Sequence, residues 1–397
     1  MTKCSKNLNN LTVMRRVFAK ILLLIIIIMT VSVNSVGTSA YAEFDIVNGI
    51  LIKYNGNSNI VTVPTDVWKV GDSAFEGNSD IIAVNLNSNI SAIGNSAFYN
   101  CTSLQEINNA DGVVDIGAYA FNNTAFVNRS SQDFVSVNNI LIKYKGTDNV
   151  VDIPQNIESI APYTFANNMD IVQVNIGDNV FSIGEGAFYN CYSMVKANIP
   201  DSVESIGALA FTNTVWISLT RQDFVVVGNG LLIGYNGVES KITLPDDVRQ
   251  VCDSAFDGNS VITEVAVSEG CVLIGARAFG NCPNLVKVAL PNSVIGINEF
   301  AFADSNAVGI SASEGSFAYD FAVANDMVYK ETLKAGDVNS DGDVNSQDAT
   351  LVLQYYAQII ESDADFDTSM ADMNNDNVIN SQDATLILQI YAGILQM

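Results

Sequence analysis

The 397-residue chain carries 43 acidic and 18 basic residues and no histidine, so its formal charge at pH 7 is −25. Such acidity argues against nucleic acid as a partner, and the 48% hydrophobic content excludes a largely disordered chain. The absence of histidine from the sequence excludes Ser-His-Asp, Cys-His and His-ligated zinc chemistry.

The first 42 residues contain five basic residues, no acidic residue and an apolar run from Ile21 to Val33, followed by Ala-Tyr-Ala. This pattern is typical of a secretory signal peptide, which we expect to be cleaved after Ala42. The alternative is an uncleaved membrane anchor, but the apolar run is shorter than the roughly 20 residues of a spanning helix. Removing the five positive charges would take the formal charge from −25 to −30. We therefore expect a secreted, extracellular protein without a membrane attachment.

Residues 43–333 repeat a motif in which a small residue precedes phenylalanine. The steps between copies are about 23 or about 44 residues, and such a period indicates a solenoid. In each copy an apolar, β-favouring stretch follows a turn rich in Asn, Cys and Gly, so each coil is expected to contain a short strand that stacks on its neighbours at about 4.8 Å. The motif phenylalanines are Phe75, Phe98, Phe121, Phe165, Phe188, Phe211, Phe256, Phe279 and Phe302.

The wider steps hold a second kind of unit, "FVSVNNILIKYKGTDNVVDIP" and "FVVVGNGLLIGYNGVESKITLP", and a third copy, "FDIVNGILIKYNGNSNIVTVP", opens the repeats. Period-2 alternation followed by Tyr-x-Gly predicts a strand pair or a widened coil. A larger unit of about ninety residues therefore occurs three times. The partial unit "SFAYDFAVANDMVYKETL" is expected to cap the last coil.

Cys101, Cys191 and Cys282 each follow a motif phenylalanine by three residues, which separates them by about four coils, or about 19 Å. This exceeds the roughly 7 Å limit for a bridged pair, so we expect buried free thiols. The state of Cys252 and Cys271 stays open. Recurrent aromatic residues are expected to pack in the core rather than to stack on sugars. They are Tyr54, Tyr99, Tyr144, Tyr189, Tyr235, Trp68 and Trp216.

These coils, with their Ile-Gly-x-x-Ala-Phe and Asn-Cys signatures, resemble the BspA-like class of leucine-rich repeats over about Glu43 to Leu333. The resemblance implies a right-handed leucine-rich-repeat solenoid. Members of the class are typically bacterial surface or secreted proteins thought to bind proteins or host and matrix surfaces. The repeats are therefore expected to bind a protein or surface ligand, whose identity and binding face the sequence does not give.

Residues 334–397 contain a duplicated loop that leads into a helix pattern. In the first copy, "DVNSDGDVNSQD" places oxygen-bearing side chains at the first, third, fifth and twelfth positions of a twelve-residue loop, which is calcium-loop spacing. Gly342 stands where this loop must turn sharply, and Asp343 would offer its backbone carbonyl. The candidate ligands are Asp337, Asn339, Asp341, Asp343, Asn345 and Asp348.

The second copy repeats the set with Asp372, Asn374, Asp376, Val378 through its carbonyl, Asn380 and Asp383. Asn377 replaces the turn glycine. This substitution is tolerated because asparagine adopts left-handed backbone geometry more readily than other residues. Two Ca²⁺ ions are thus predicted, the second bound slightly more weakly. In the helix after the first loop, Ala349, Val352, Leu353 and Tyr356 lie along one face.

This loop-helix pair resembles a type I dockerin in spacing, in the aspartate at position twelve, in duplication and in terminal position. The resemblance implies a small all-α, calcium-binding module of two loop-helix repeats that binds a cohesin module of a scaffoldin in a cellulosome-type complex. The family's recognition positions fall on Ser346, Gln347, Leu353, Gln354 and Gln358, and in the second copy on Ser381, Gln382, Leu388 and Gln389. The alternative is a pair of calcium loops that only brace the C-terminus.

The sequence therefore predicts an α+β protein with a signal peptide at 1–42, a repeat solenoid at 43–333 and a dockerin at 334–397. We expect a non-catalytic component of a cellulosome-type complex. The alternative is a carbohydrate-binding or glycoside hydrolase-like subunit of a polysaccharide-degrading complex, and hydrolysis would need two carboxylates about 5 to 9 Å apart across a cleft. The acidic residues instead decorate repeated coils, and no non-repeated stretch is long enough for a separate catalytic domain.

Overall fold

The computed structural model describes residues 43–305, 308–329, 335–339, 343–360, 366 and 368–395. The predicted signal peptide, the candidate ligand Asp341 and the turn residue Gly342 lie outside the described residues. The chain divides into two compact units. One contains the described residues up to Met194 together with Ala210–Thr214, and the other contains Val195–Leu209 together with the chain from Val215 onwards.

The described part of the first unit is built from short strands, one short α-helix, α1 (Ala125–Asn128), and a 3-10 helix at Ala110–Gly112. Its strands are β1 (Phe44–Val47), β2 (Ile50–Tyr54), β3 (Ile60–Thr62), β4 (Lys69–Val70), β5 (Ala83–Asn85), β6 (Ala92–Ile93), β7 (Glu106–Asn108), β8 (Asp115–Ile116), β9 (Phe134–Val137), β10 (Ile140–Tyr144), β11 (Val150–Asp152), β12 (Ser159–Ile160), β13 (Gln173–Asn175) and β14 (Ser182–Ile183). They form sheets in the orders β1-β2-β4-β6-β8, β3-β5-β7, β9-β10-β12-β14 and β11-β13.

The second unit continues the same kind of coil and ends in helices. Its strands are β15 (Lys196–Asn198), β16 (Ser205–Ile206), β17 (Phe224–Val227), β18 (Leu231–Tyr235), β19 (Lys241–Thr243), β20 (Gln250–Val251), β21 (Glu264–Ala266), β22 (Leu273–Ile274), β23 (Lys287–Ala289), β24 (Gly296–Ile297) and β25 (Gly309–Ser311). Two of its sheets have the orders β17-β18-β20-β22-β24 and β19-β21-β23-β25. Its helices are α2 (Trp216–Leu219), α3 (Phe317–Ala324), α4 (Ser346–Tyr356) and α5 (Ser381–Tyr391).

The 23-residue sequence period sets the register of the parallel strand pairs, because paired residues are 23 positions apart in the chain. Val61 pairs with Val84, and Val84 pairs with Ile107, each 23 residues further along the chain. A regular coil contributes two short strands, one to each of two sheets, whereas the sequence predicted a single strand per coil. The second strand escaped prediction because it has only two residues, too few for a recognisable alternation. The predicted strand pairs are confirmed, since β1–β2, β9–β10 and β17–β18 are antiparallel.

Aromatic rings of successive coils stack in columns through the core. The column that begins at Tyr54 continues through Phe75, Phe98 and Phe121, with the phenylalanine centroids 4.9 and 5.2 Å apart. Tyr144 and Tyr235 begin equivalent columns in the second and third of the ninety-residue repeats. These spacings match the distance between neighbouring strands, so each added coil places one ring on the last. All nine motif phenylalanines are buried, as the repeat pattern predicts.

A row of asparagines crosses the coils two residues after the motif phenylalanine. Asn123 donates to the amide oxygen of Asn100 at 2.7 Å, Asn190 donates to Asn167 at 2.9 Å, and Asn213 donates to Asn190 at 2.8 Å. All five have φ between 59° and 63°. Asparagine suits this position because it tolerates left-handed backbone and its amide both donates and accepts.

The described cysteines are free and buried, which confirms the reading of Cys101, Cys191 and Cys282 and answers the open question for Cys252 and Cys271. The first three donate their S–H groups to the carbonyl oxygen of the motif phenylalanine in the preceding coil, at 2.9, 3.2 and 3.1 Å. A serine hydroxyl makes the same bond at 2.7 Å in the last regular coil. The thiols therefore satisfy a buried backbone group as well as filling space.

The prediction of core packing is right for most recurrent aromatic residues and wrong for three. Trp216 is buried. Trp68 is only half-buried, and its indole N–H donates to the carbonyl oxygen of Asn48 at 3.0 Å. Tyr99 and Tyr189 are also half-buried. These three side chains lie at the surface of the coils because their polar ends remain in reach of water or of surface backbone groups.

The partial unit after the last regular coil closes the stack as predicted. Helix α3 buries Ala318 and Ala322 against the core of the second unit. Beyond the helix, Val328 forms a parallel bridge with Ile310 of β25. The backbone groups and apolar surface of the last strand are thereby covered, which is the role of a capping element in a repeat protein.

Candidate functional site

Helices α4 and α5 begin with the same N-terminal structure. Asn345 and Asn380 are the N-caps, and their side-chain oxygens accept the backbone N–H of Gln347 and Gln382, both at 2.7 Å. Such caps satisfy N–H groups that have no partner within the helix. The identical "NSQDATL" segments therefore fold into identical helix starts.

The aspartate at position twelve of each loop ties the helix start to the loop. Asp348 and Asp383 are fully buried, and Oδ2 of each accepts the backbone N–H of its own N-cap asparagine, at 2.8 and 2.9 Å. Oδ1 of each accepts an N–H from the second loop position, Val338 at 3.0 Å or Met373 at 2.9 Å. Burial raises the pKa of Asp348, against the lowering effect of these N–H groups. The Asn-x-x-Asp spacing is a capping box that our reading of the sequence missed.

The second loop is folded around its own side-chain oxygens. The two carboxylate oxygens of Asp372 accept the backbone N–H groups of Asp376 and Asn377, at 3.2 and 2.8 Å. Asn374 also accepts from the N–H of Asp376, and Asp376 accepts from that of Val378. Asn377 has a φ of 66°, so the predicted left-handed turn at this residue is confirmed.

The described part of the first loop shares features with the second. Asp337 is buried, with 4% of its surface exposed. The side-chain amide of Asn345 donates to the carbonyl of Asp343 at 3.3 Å, and Asn380 donates likewise to Val378 at 3.1 Å. In both loops the position-nine amide therefore holds the position-seven carbonyl.

The donor atoms of the two loops fit a hard cation in their chemistry. Carboxylate, amide and carbonyl oxygens are the ligands that calcium prefers, and a carboxylate oxygen that accepts one N–H keeps a further lone pair. Within the described ranges, which exclude Asp341, no three His, Cys, Asp or Glu side chains form a metal-binding group. The carboxylates instead accept backbone N–H groups, which gives each loop its shape.

The two helices share a small apolar core. Its buried members come from both loop-helix units and the segment between them: Val338, Ala349, Val352, Phe366, Ala371, Ala384 and Ile387. Tyr355 of α4 stacks on Phe366 with ring centroids 4.7 Å apart. This core explains why two short helices remain folded side by side.

The apolar face predicted for α4 is divided between this core and the surface. Ala349 and Val352 are buried, whereas Leu353 is 42% exposed and Tyr356 is 57% exposed. Periodicity alone does not distinguish a residue at the centre of a helix face from one at its edge. Only the packing of α4 against α5 decides which apolar residues are covered.

Each helix, together with the turn that follows it, exposes a matching set of large apolar side chains. Leu353, Tyr356 and Ile359 on the first copy correspond to Leu388, Tyr391 and Ile394 on the second, and their exposed fractions run from 42% to 74%. Paired exposed apolar residues of this size mark an interaction surface. We call these six residues the paired apolar faces. Among them, Tyr356, Ile359, Tyr391 and Ile394 are not recognition positions expected from the sequence.

The sequence-predicted recognition residues also match between copies, except that Gln358 corresponds to Gly393. Ser346, Gln347 and Gln358 are exposed, and Leu353 lies in the paired apolar face. Ser381, Gln382 and Leu388 are likewise exposed, while Gln354 and Gln389 are half-buried in their respective helices. Except at Gln358, both copies therefore present equivalent polar and apolar side chains to solvent.

Strand coils with a closing helical cap define a repeat solenoid, and the terminal loop-helix pair has a small apolar core of its own. A family model described as a BspA type leucine rich repeat region matches residues 13–130, 143–224 and 235–319, in six copies. The chain belongs to this family. The model of the dockerin type I domain matches residues 335–389, so the C-terminal module is a dockerin.

Similar solved structures are leucine-rich repeat proteins of bacteria. A leucine rich cell surface protein from Faecalibacterium prausnitzii is 22% identical and has a TM-score of 0.30, over 72% of this chain and 97% of that one. A protein from Eubacterium ventriosum is 18% identical, with a TM-score of 0.31, over 72% and 91%. A third, from Bacteroides ovatus, is 18% identical, with a TM-score of 0.25, over 72% and 100%.

A search of curated proteins found no match. In the described part of the chain, no helix has both the length and the apolar character needed to span a membrane. A dockerin indicates cohesin-mediated assembly of the cellulosome type, and BspA-type repeats indicate protein binding. Both are domains of non-catalytic kinds. Such domains are typical of extracellular or cell-surface proteins, and type I dockerins bind calcium.

Proposed function

We propose that this protein is a secreted, non-catalytic component of a cellulosome-type complex, joined to a scaffoldin through calcium-dependent binding of its dockerin to a cohesin. The observation that carries the proposal is the pair of loop-helix units with identical caps and matching paired apolar faces. The proposed organisation is a signal peptide at 1–42, a right-handed repeat solenoid at 43–333 and an all-α dockerin at 334–397.

Two Ca²⁺ ions would be held by the oxygens of the two loops. The first set is Asp337, Asn339, Asp341, Asp343, Asn345 and Asp348, and the second is Asp372, Asn374, Asp376, Val378, Asn380 and Asp383. When bound, the cation would neutralise carboxylates that otherwise repel one another. We expect the second site to be slightly weaker, because asparagine replaces the turn glycine there. Calorimetry in which the second loop fills first would contradict this order.

The cohesin would meet the helix starts and the paired apolar faces. The contact residues on α4 and its C-terminal end would be Ser346, Gln347, Leu353, Gln354 and Gln358, with Ser381, Gln382, Leu388 and Gln389 in the second copy. Because the two copies present the same side chains at the assigned positions other than Gln358, we expect either helix to be able to dock. Disrupting Ser346 and Gln347 alone should then spare binding, as should disrupting Ser381 and Gln382 alone. Loss of binding from one of these changes would remove the idea of two equivalent modes.

A pull-down experiment distinguishes the candidate functions. The full protein would be incubated with immobilised cohesins, with insoluble polysaccharides and with secreted enzymes, and hydrolysis of the polysaccharides would be assayed in parallel. Retention on a cohesin without hydrolysis supports the proposal. Retention on polysaccharide through the repeats, or release of sugars, supports a carbohydrate-binding or catalytic subunit instead.

A further inference from the structure

The sheet formed by β19, β21, β23 and β25 carries a shallow groove of about 300 Å³ on its outer face. In each strand the middle residue is buried and the first and third residues are at the surface. The groove is lined by these first and third residues of β19, β21 and β23, together with the middle residues Ile242 and Val265. We call it the β19–β23 groove.

The floor of the β19–β23 groove is formed by small side chains. Ala266 and Ala289 occupy the third positions of β21 and β23. In the first unit the third positions hold Thr62, Asn85 and Asn108, which form a row of hydrogen bonds of 3.2 and 3.0 Å. Alanine is a poor strand former, so strand stability does not explain the two alanines. Their effect is to remove the polar row and open the groove.

The wall of the groove alternates in charge. Lys241, Glu264 and Lys287 are the first residues of their strands and lie side by side in register. Lys241 forms an ion pair with Glu264. Lys287 forms no ion pair with any described residue, and its ammonium lies 4.4 Å from the ring centroid of Tyr329. Among the described residues, this positive charge at the groove therefore has no carboxylate partner.

Tyr329 fixes the end of this wall. Its backbone N–H donates to Ile310 at 2.9 Å, which adds it to the sheet beside β25. The residue opposite is Gly309, where a Cβ atom would lie 2.7 Å from the Cα of Tyr329. The close approach requires glycine and places the ring beneath the ammonium of Lys287. The lysine is thus held at the groove rather than extended into solvent.

We propose that the β19–β23 groove binds an extended segment of a protein partner, with an acidic side chain of that segment paired to Lys287. Charge complementarity selects a polypeptide, because a uniformly anionic polysaccharide would place negative charges against Glu264 as well as against the lysines. The alanine floor accepts the small or apolar side chains that a peptide carries between its charges. This inference rests on the proposed role of the repeats in protein binding and assigns that role a surface.

The test uses the full protein with ¹³C-labelled alanine methyl groups, so that Ala266 and Ala289 report on the groove. Three probes would be titrated: a short peptide with one glutamate among small apolar residues, the same peptide with lysine in place of glutamate, and oligogalacturonate. We expect the glutamate peptide to shift both methyl resonances and to bind about three- to fivefold more tightly than the lysine peptide, the range expected for one partly exposed ion pair.

The Lys287→Glu variant should reverse this preference in favour of the lysine peptide. The matched control is Lys196→Glu, since Lys196 is an exposed lysine at the first position of β15 and lies outside the groove. The proposal is overturned by an unchanged preference in Lys287→Glu, by tighter binding of oligogalacturonate, or by the absence of methyl shifts with either peptide. Cohesin binding by the same samples is the second readout. Intact cohesin binding beside a failed peptide test rejects the groove alone and leaves the dockerin function standing.

Discussion

At the residue scale, the two dockerin helices differ most at the residue that ends each of them. Gln358 and Gly393 both follow the C-cap and both adopt left-handed backbone, with φ of 58° and 69°. Glycine has no side chain to oppose this conformation, whereas glutamine has. The first copy therefore carries a strained residue that its twin avoids, at a position we assign to cohesin contact.

Exchanging these residues should move helix stability in opposite directions. Gln358→Gly should stabilise the end of α4 by about 1 kcal/mol, and Gly393→Gln should destabilise the end of α5 by about as much, because a Cβ at Gly393 has open space and meets only the backbone penalty. Amide hydrogen exchange of the two helices in the full protein measures both changes. A gain in protection from Gly393→Gln would show that left-handed strain does not govern this position.

The cysteine thiols should be chemically inert in the folded protein. Burial raises the pKa of Cys101, Cys191 and Cys282 to about 11, so almost no thiolate is present at pH 8. We expect no reaction of these three with a thiol reagent at pH 8 and full reaction after denaturation, measured by mass spectrometry. Rapid modification of any of them in the native protein would contradict their place in the coil.

Some residue roles were readable from the sequence and others were not. The left-handed turn at Asn377 was predictable, because asparagine replaced a glycine at a fixed loop position. The half-buried state of Trp68 was not, because a coil position that elsewhere holds an aliphatic residue gave no sign of the indole hydrogen bond to Asn48. The capping-box role of Asp383 was not recognised, because the calcium-loop pattern already accounted for an aspartate at that position.

At the element scale, the asparagine row should contribute measurably to coil stacking. Asn190 accepts from Asn213 and from the Tyr192 hydroxyl, donates to Asn167, and holds left-handed backbone. Asn190→Ala should lower the free energy of unfolding by about 1–2 kcal/mol, since it loses all three side-chain bonds and retains the backbone penalty. Asn190→Gly should cost less, because glycine removes that penalty. Denaturant unfolding of the two variants compares them, and equal losses would exclude a backbone contribution.

Within each dockerin helix, exposed and buried apolar residues should respond differently to truncation. Tyr356→Ala combined with Tyr391→Ala should leave folding intact but weaken cohesin binding by at least about 1 kcal/mol, because exposed aromatics at an interface contribute strongly to affinity. Val352→Ala should instead destabilise the module by about 2 kcal/mol, since Val352 is fully buried. Circular dichroism and calorimetric titration separate the two effects. Cohesin affinity unchanged by the double tyrosine variant would remove the paired apolar faces from the interface.

Sequence periodicity predicted the coils well because every coil obeys the same packing constraint. Each motif phenylalanine must cover the ring before it, so the 23-residue step is visible without a structure. The β19–β23 groove was not predictable, because it arises where the third strand positions lack the polar side chains found in the first unit. Replacement of asparagine by Ala266 and Ala289 has meaning only when strands from different coils are seen side by side.

At the scale of the whole molecule, the chain combines a repeat array suited to recognition with a terminal module suited to attachment. The proposed calcium ions are expected to stabilise the folded dockerin and thereby to allow it to bind a cohesin. Without cations, the carboxylates of each loop repel one another, and so small a core provides little resistance. We expect chelation to remove the helical circular dichroism of α4 and α5 while the strand signal of the coils remains. Full retention of the helical signal in excess chelator would contradict the role of the cation in folding.

The most direct test of the account is isothermal titration of the full protein into a panel of cohesin modules, first with calcium and then with excess chelator. We predict saturable binding to at least one cohesin in calcium, its loss on chelation and its recovery when calcium is restored. A protein that binds no cohesin of a broad panel in calcium, or that binds equally well after chelation, would contradict the claim that this chain is anchored through a calcium-dependent dockerin.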